Sequence, residues 1–114
     1  MPVDTFVMDP GDIIDVAQAD DVIRRIRQYK KEMGCKKAGV LLIQTRLFGC
    51  VYGIVSREEA RELMSRYVYD DPDGCGAGEW GLEFYRLSYF KALRERLRGN
   101  EEVELPEPKR RKYS

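Results

Sequence analysis

The sequence predicts an α+β domain: an antiparallel sheet of about four strands with two helices on one face. The element order is the ferredoxin-like β-α-β-β-α-β, with a C-terminal helix added at the end. Three observations carry this reading. Residues 19–33 repeat apolar side chains at helical spacing. Two short apolar runs, Ala38–Thr45 and Cys50–Val55, stand close enough to pair as a hairpin. Ser56-Arg57-Glu58-Glu59 opens a second helical pattern directly after them. With 114 residues, the chain has the length of one domain and enough bulk to bury about two-thirds of its unfolded surface. Residues 1–100 are read as one compact unit. Residues 101–114, with Pro106, Pro108 and Lys109-Arg110-Arg111-Lys112, are read as a flexible, extended tail.

Taken in order, Val3–Met8 alternates loosely and is expected as a short first strand. Asp9-Pro10-Gly11-Asp12 is turn chemistry, because Pro presets one φ angle, Gly permits a positive one, and Asp caps. The first helix is expected from about Ala19 to Met33, with Asp20 or Asp21 at its positive end and Gly34 closing it. Val22, Ile23, Ile26, Tyr29 and Met33 form its inner face. The second helix runs from Ser56 to about Tyr67, with Ala60, Leu63, Met64 and Tyr67 turned inward. Residues 82–89 read as a fourth strand or the start of a helix, the strand being the one that completes the predicted order, and Lys91–Arg98 is helical by composition.

Composition removes several function classes. The chain has no His, so mechanisms built on an imidazole base or imidazole metal ligand are closed to it. Its three Cys are widely spaced, which fits neither a zinc motif nor a disulfide framework. The first twenty residues carry five acids and no base, unlike the basic start of a secretory signal. The longest apolar run, Gly39–Ile43, falls far short of the roughly 20 residues that span a bilayer. A cytoplasmic protein without membrane attachment, with reduced thiols and no cofactor, is the expectation. Abundant Arg and Glu with a single Asn, Asn100, is a pattern of heat-adapted proteins.

Few residues suggest chemistry. Asp9, Asp12 and Asp15 recur every third position, and clustered carboxylates of this kind hold Mg²⁺ or Mn²⁺ in nucleases. Turn and capping roles account for the same aspartates more simply. Gly74-Cys75-Gly76-Ala77-Gly78 resembles a phosphate-cradling loop only in its glycines. Asp70, Asp71 and Asp73 precede it, Glu79 and Trp80 come after, and that negative charge repels phosphate. It is expected as a surface loop open to partner contact. The tyrosines, including Tyr52, Tyr67, Tyr69 and Tyr85, sit mostly at apolar-face spacings and suit a core, a pocket wall or an interface.

The most informative feature is how charge is distributed. Twenty basic and twenty acidic residues cancel to a formal zero, yet residues 1–21 carry −6, 22–69 carry +7, 70–85 carry −5, 86–100 carry +4, and 101–114 balance. The outer face of the first helix and the segment leading into the first hairpin strand gather Arg24, Arg25, Arg27, Lys30, Lys31, Lys36 and Lys37. The tail adds Lys109, Arg110, Arg111 and Lys112. Segregated charge of this kind suits a non-catalytic regulatory or binding protein that docks electrostatically on a macromolecular partner. The basic face and the acidic loop are its expected contacts, and a protein is the first expected partner. Nucleic acid is the alternative, set against an isoelectric point near 6.3. An Asp-dependent metal nuclease is the third reading. Complementary patches also make homo-oligomerisation an option.

Overall fold

A computed structural model describes residues 5–45, 49–69 and 81–112. They form helix α1 (Val16–Met33), strands β1 (Ala38–Thr45) and β2 (Gly49–Ser56), helix α2 (Arg57–Tyr69), strand β3 (Gly81–Arg86), helix α3 (Leu87–Leu97) and strand β4 (Lys109–Lys112). The four strands make one antiparallel sheet in the order β2-β1-β3-β4. The protein is thus α+β with a four-stranded antiparallel sheet. β2, α2 and β3 form a split β-α-β unit, since β2 and β3 run parallel with β1 between them.

Helix α1 starts three residues before the predicted Ala19 because Asp15, not Asp20 or Asp21, caps it. The Asp15 carboxylate accepts from the Gln18 amide at 2.8 Å, and the Gln18 side chain accepts from the Asp15 amide at 3.3 Å. This reciprocal capping box satisfies amides that the helix leaves without partners. Gly34 closes the helix at φ 67, and the Cys35 amide returns to the Lys30 carbonyl at 3.2 Å. Met33, expected on the inner face, is 61 % exposed, and the buried stripe of α1 ends one turn earlier at Tyr29. Ser56 caps α2 as predicted, its hydroxyl accepting from the Glu59 amide at 3.1 Å.

Residues 82–89 turn out to be strand and helix in succession. Gly81–Arg86 pairs with β1, and α3 begins at the next residue, Leu87. The strand expected at Val3–Met8 is reduced, among the described residues, to one bridge between Phe6 and Gly53, flanking the outer edge of β2. A 3-10 turn at Pro10–Asp12 comes next and ends the pairing. The fourth strand comes instead from the C-terminal segment, where Lys109–Lys112 pairs with β3 and Arg110 meets Glu83 at 3.4 Å. Pro106 and Pro108 forbid a helix there and keep the approach extended.

Both faces of the sheet are covered. Helices α1 and α3 pack on one face, around Ile23, Ile26, Val40, Ile54 and Phe90. Helix α2 packs on the other, around Leu41, Ala60, Met64, Leu82 and Phe84. The sequence pattern puts the first two helices together; in the structure the helix sharing a face with α1 is α3. The unbroken run Val40-Leu41-Leu42-Ile43 in β1 is the reason. Alternate side chains of a strand point to opposite faces, so a continuous apolar run needs a layer on each. Gly39 permits a close approach of β1 to β3: a Cβ there would clash with the Tyr85 carbonyl oxygen and lie 2.9 Å from Phe84 Cζ.

Candidate functional site

The connections of the fold place the ends of seven helices and strands at one end of the sheet. Strands β2 and β3 both finish there and pass without a loop into α2 and α3, while α1 ends and β1 and β4 begin there. Between them lies a cleft of about 480 Å³. Helix α1 contributes Lys30, and the connection to β1 contributes Lys36 and Lys37. The first turns of α2 contribute Arg57 and Arg61, which share a helix face at four-residue spacing. Arg86 ends β3 and Lys109 begins β4. Ala38, Phe84 and Leu87 supply apolar surface, and Ser88 adds a neutral hydroxyl.

Among the described residues, seven cations therefore line the cleft and no carboxylate does. Elsewhere, acids and bases pair as a surface of mixed charge would. Arg24 bonds to Asp21, Arg94 to Asp20 at 2.9 Å, Arg98 to Glu95 at 2.6 Å, and Arg110 to Glu83 at 3.4 Å. In the cleft, among the described residues, Arg57 alone has an ion pair, a loose one with Glu58 at 3.8 Å. Its Nε is buried and has no hydrogen-bond acceptor among them. The crowding is felt by Lys109, whose ammonium is pushed below its ordinary range, first by the Arg86 charge, then by desolvation, then by Arg61 and Arg57.

Two helices also begin at the cleft. Their first amides are unpaired within the helix, and the aligned peptide dipoles place partial positive charge there. Ser56 meets part of this demand in α2, but the N-cap of α3, Arg86, offers no side-chain acceptor. The cleft is thus rich in donors and positive charge from several independent sources.

No protein-family model matches this chain, and neither does a curated protein or a solved structure.

The predicted basic face is divided by the structure. Lys30, Lys36 and Lys37 join the cleft. Arg24 is held by Asp21, Arg25 donates to the Phe6 carbonyl, and Arg27 and Lys31 stand exposed on α1 away from the cleft lining. Of the basic tail, Lys109 reaches the cleft and Arg110 is held by Glu83, while Arg111 and Lys112 continue β4. Arg57, Arg61 and Arg86 were not singled out by sequence reasoning. The signals for them were the Arg pair at four-residue spacing behind the Ser56 cap, and an Arg at a strand-to-helix junction.

Asp9 and Asp15 serve as caps: Asp9 accepts from the Gly11 amide at 2.7 Å, and Asp15 from the Gln18 amide. Asp12 is exposed. Among the described residues, no three His, Cys, Asp or Glu side chains gather in a way that would hold a metal ion. The expected acidic contacts Asp70, Asp71, Asp73, Glu79 and Trp80, and the glycine loop between them, lie outside the described residues, as do the side chains of Tyr67 and Tyr69. Tyr52 and Tyr85 pack against the α1–α3 core, and the Tyr85 hydroxyl donates to Glu83 at 2.6 Å. Among the described residues no helix is long and apolar enough to cross a membrane.

Proposed function

We propose that this is a non-catalytic binding protein that docks electrostatically on an anionic macromolecular partner through the basic cleft. The observation that supports this reading most is the convergence of seven cations on one concave site, with no carboxylate among its described lining residues. Like charges held together oppose folding, and surface pairing relieves that repulsion cheaply where acids are near. The chain has twenty acidic residues, yet those seen in ion pairs in its described segments mostly pair on other surfaces. A bound anion supplies the missing counter-charge and gains from acting inside a concavity, where fields are focused.

The test exploits the neutral composition. Above its isoelectric point of about 6.3, the protein as a whole is slightly anionic, so uniform charge would not hold it on a polyanionic matrix. Retention on immobilised heparin at about 50 mM salt, lost in the variant Lys36→Glu/Lys37→Glu/Arg61→Glu, supports the cleft as the docking surface. All three positions are exposed, so folding should survive the change. Wild-type protein passing straight through the column at that salt overturns the reading.

A further inference from the structure

We infer that the partner held in the cleft is a single-stranded nucleic acid, gripped by its phosphates without regard to sequence. This rests on the proposal that the cleft is the docking surface, and it selects among the anions that would fit.

The hydrogen-bonding character of the lining favours a nucleic acid over an acidic peptide. Its charged side chains are ammonium and guanidinium groups, which donate and never accept, and among the described lining residues only the Ser88 side chain does both. A phosphodiester backbone is matched to this, because its charged oxygens only accept. An acidic peptide is not, because every residue brings an amide N–H that needs an acceptor when buried. A peptide pressed into this lining would leave such donors unpaired, which weakens it relative to a strand whose phosphodiester groups, the part that meets the cations, have none to leave. The buried Arg57 Nε, without an acceptor among the described residues, points the same way: the site has surplus donors.

Shape selects a single strand over a duplex. Cations approach from α1, α2, the β3–α3 junction and β4, so they surround a cavity and do not form a flat strip. A duplex presents its phosphates on the outside of a rod that is stiff over about 50 nm. Such a rod meets only the rim of a concavity of about 480 Å³. A single strand bends into it and brings phosphates to cations on several walls. Leu87, half-buried, provides apolar surface for a sugar or base edge, with Ala38 buried behind it. Phe84 is only 4 % exposed, too buried for a base to stack on its face. Binding by phosphate contact with little stacking gives weak sequence preference and strong salt dependence.

The experiment compares three labelled probes by fluorescence anisotropy at about 50 mM salt. They are a mixed-sequence single strand of about 12 nucleotides, the same sequence as a duplex, and a polyglutamate peptide of equal charge. The expected result is that the single strand binds at least about tenfold more tightly than the other two and that scrambling its sequence changes affinity less than about threefold. Lys36→Glu/Lys37→Glu/Arg61→Glu should abolish that binding while its circular dichroism spectrum matches the wild type. Arg27→Glu/Lys31→Glu, on the face of α1 outside the cleft, should bind within about threefold of the wild type. Polyglutamate binding as tightly as the strand overturns the nucleic-acid inference and leaves the docking proposal intact. Duplex binding as tightly as the strand overturns the single-strand assignment. If none of the three probes binds, the inference and the docking proposal both fall.

Discussion

Raising salt weakens binding of a single strand by an amount that the cleft itself sets. Seven cations line the cleft, and each phosphate neutralised on a single strand contributes about −0.7 to the slope of log affinity against log salt. With all seven engaged the slope is about −5, and going from about 50 to about 200 mM salt lowers affinity roughly a thousandfold. With four engaged the slope is about −3 and the loss is roughly fiftyfold. Anisotropy titrations at several salt concentrations measure this directly. Neutralising three cations, as Lys36→Gln/Lys37→Gln/Arg61→Gln, should flatten a fully engaged slope by about 2. A wild-type slope shallower than about −1, or a slope unchanged in the triple variant, refutes the reasoning, because binding then does not run through these charges.

Other perturbations probe the fold and the site separately. Lys109 loses its proton below the ordinary range because of Arg86 and its neighbours, so strand affinity should decline as pH rises toward that lowered range. Lys109→Arg, whose charge persists, should remove that part of the decline, as affinity titrations at increasingly alkaline pH would show. Tyr52 and Tyr85 have hydroxyls pushed up first by burial and then by hydrogen bonds to Asp9 and Glu83 respectively. The folded state therefore keeps protons that the unfolded chain releases near about pH 10, so stability is intact below that pH and falls as pH climbs above it. Urea midpoints together with tyrosinate absorbance measure the effect; stability that stays flat or rises there contradicts the assignment. Phe90→Ala empties a site only 1 % exposed between α1, α3 and the sheet, and should cost about 3–5 kcal/mol in urea unfolding. Gly39→Ala should destabilise strongly, because the new methyl meets the Tyr85 backbone and a rotamer change cannot relieve it; an unchanged melting temperature would contradict the close approach of β1 and β3.

Much of the local structure was written in the residues themselves. Short-range chemistry determines helix ends, and Gly34 and Ser56 are visible because a left-handed residue or a capping hydroxyl acts within one turn. The same principle identifies Asp15 with Gln18 three residues on, although Asp20 and Asp21 carry the more familiar look of acids at a helix start. Hairpin pairing of β1 with β2 was legible because both runs are apolar and adjacent. The unbroken Val40–Ile43 run also held, in principle, the information that β1 is covered on both faces.

Segment-by-segment counting likewise showed, from sequence alone, that the zero net charge is a sum of opposed blocks. Which charges meet was decided only by tertiary structure. Lys30, Arg57, Arg86 and Lys109 are distant along the chain and come together because β2 and β3 end on either side of the start of β1, at the same end of the sheet where β4 begins. Arg24 and Arg94, equally basic in sequence, are taken up by Asp21 and Asp20 on helix surfaces. Charge is a property of a residue, whereas an unneutralised cleft is a property of strand order and of the direction in which each helix leaves the sheet.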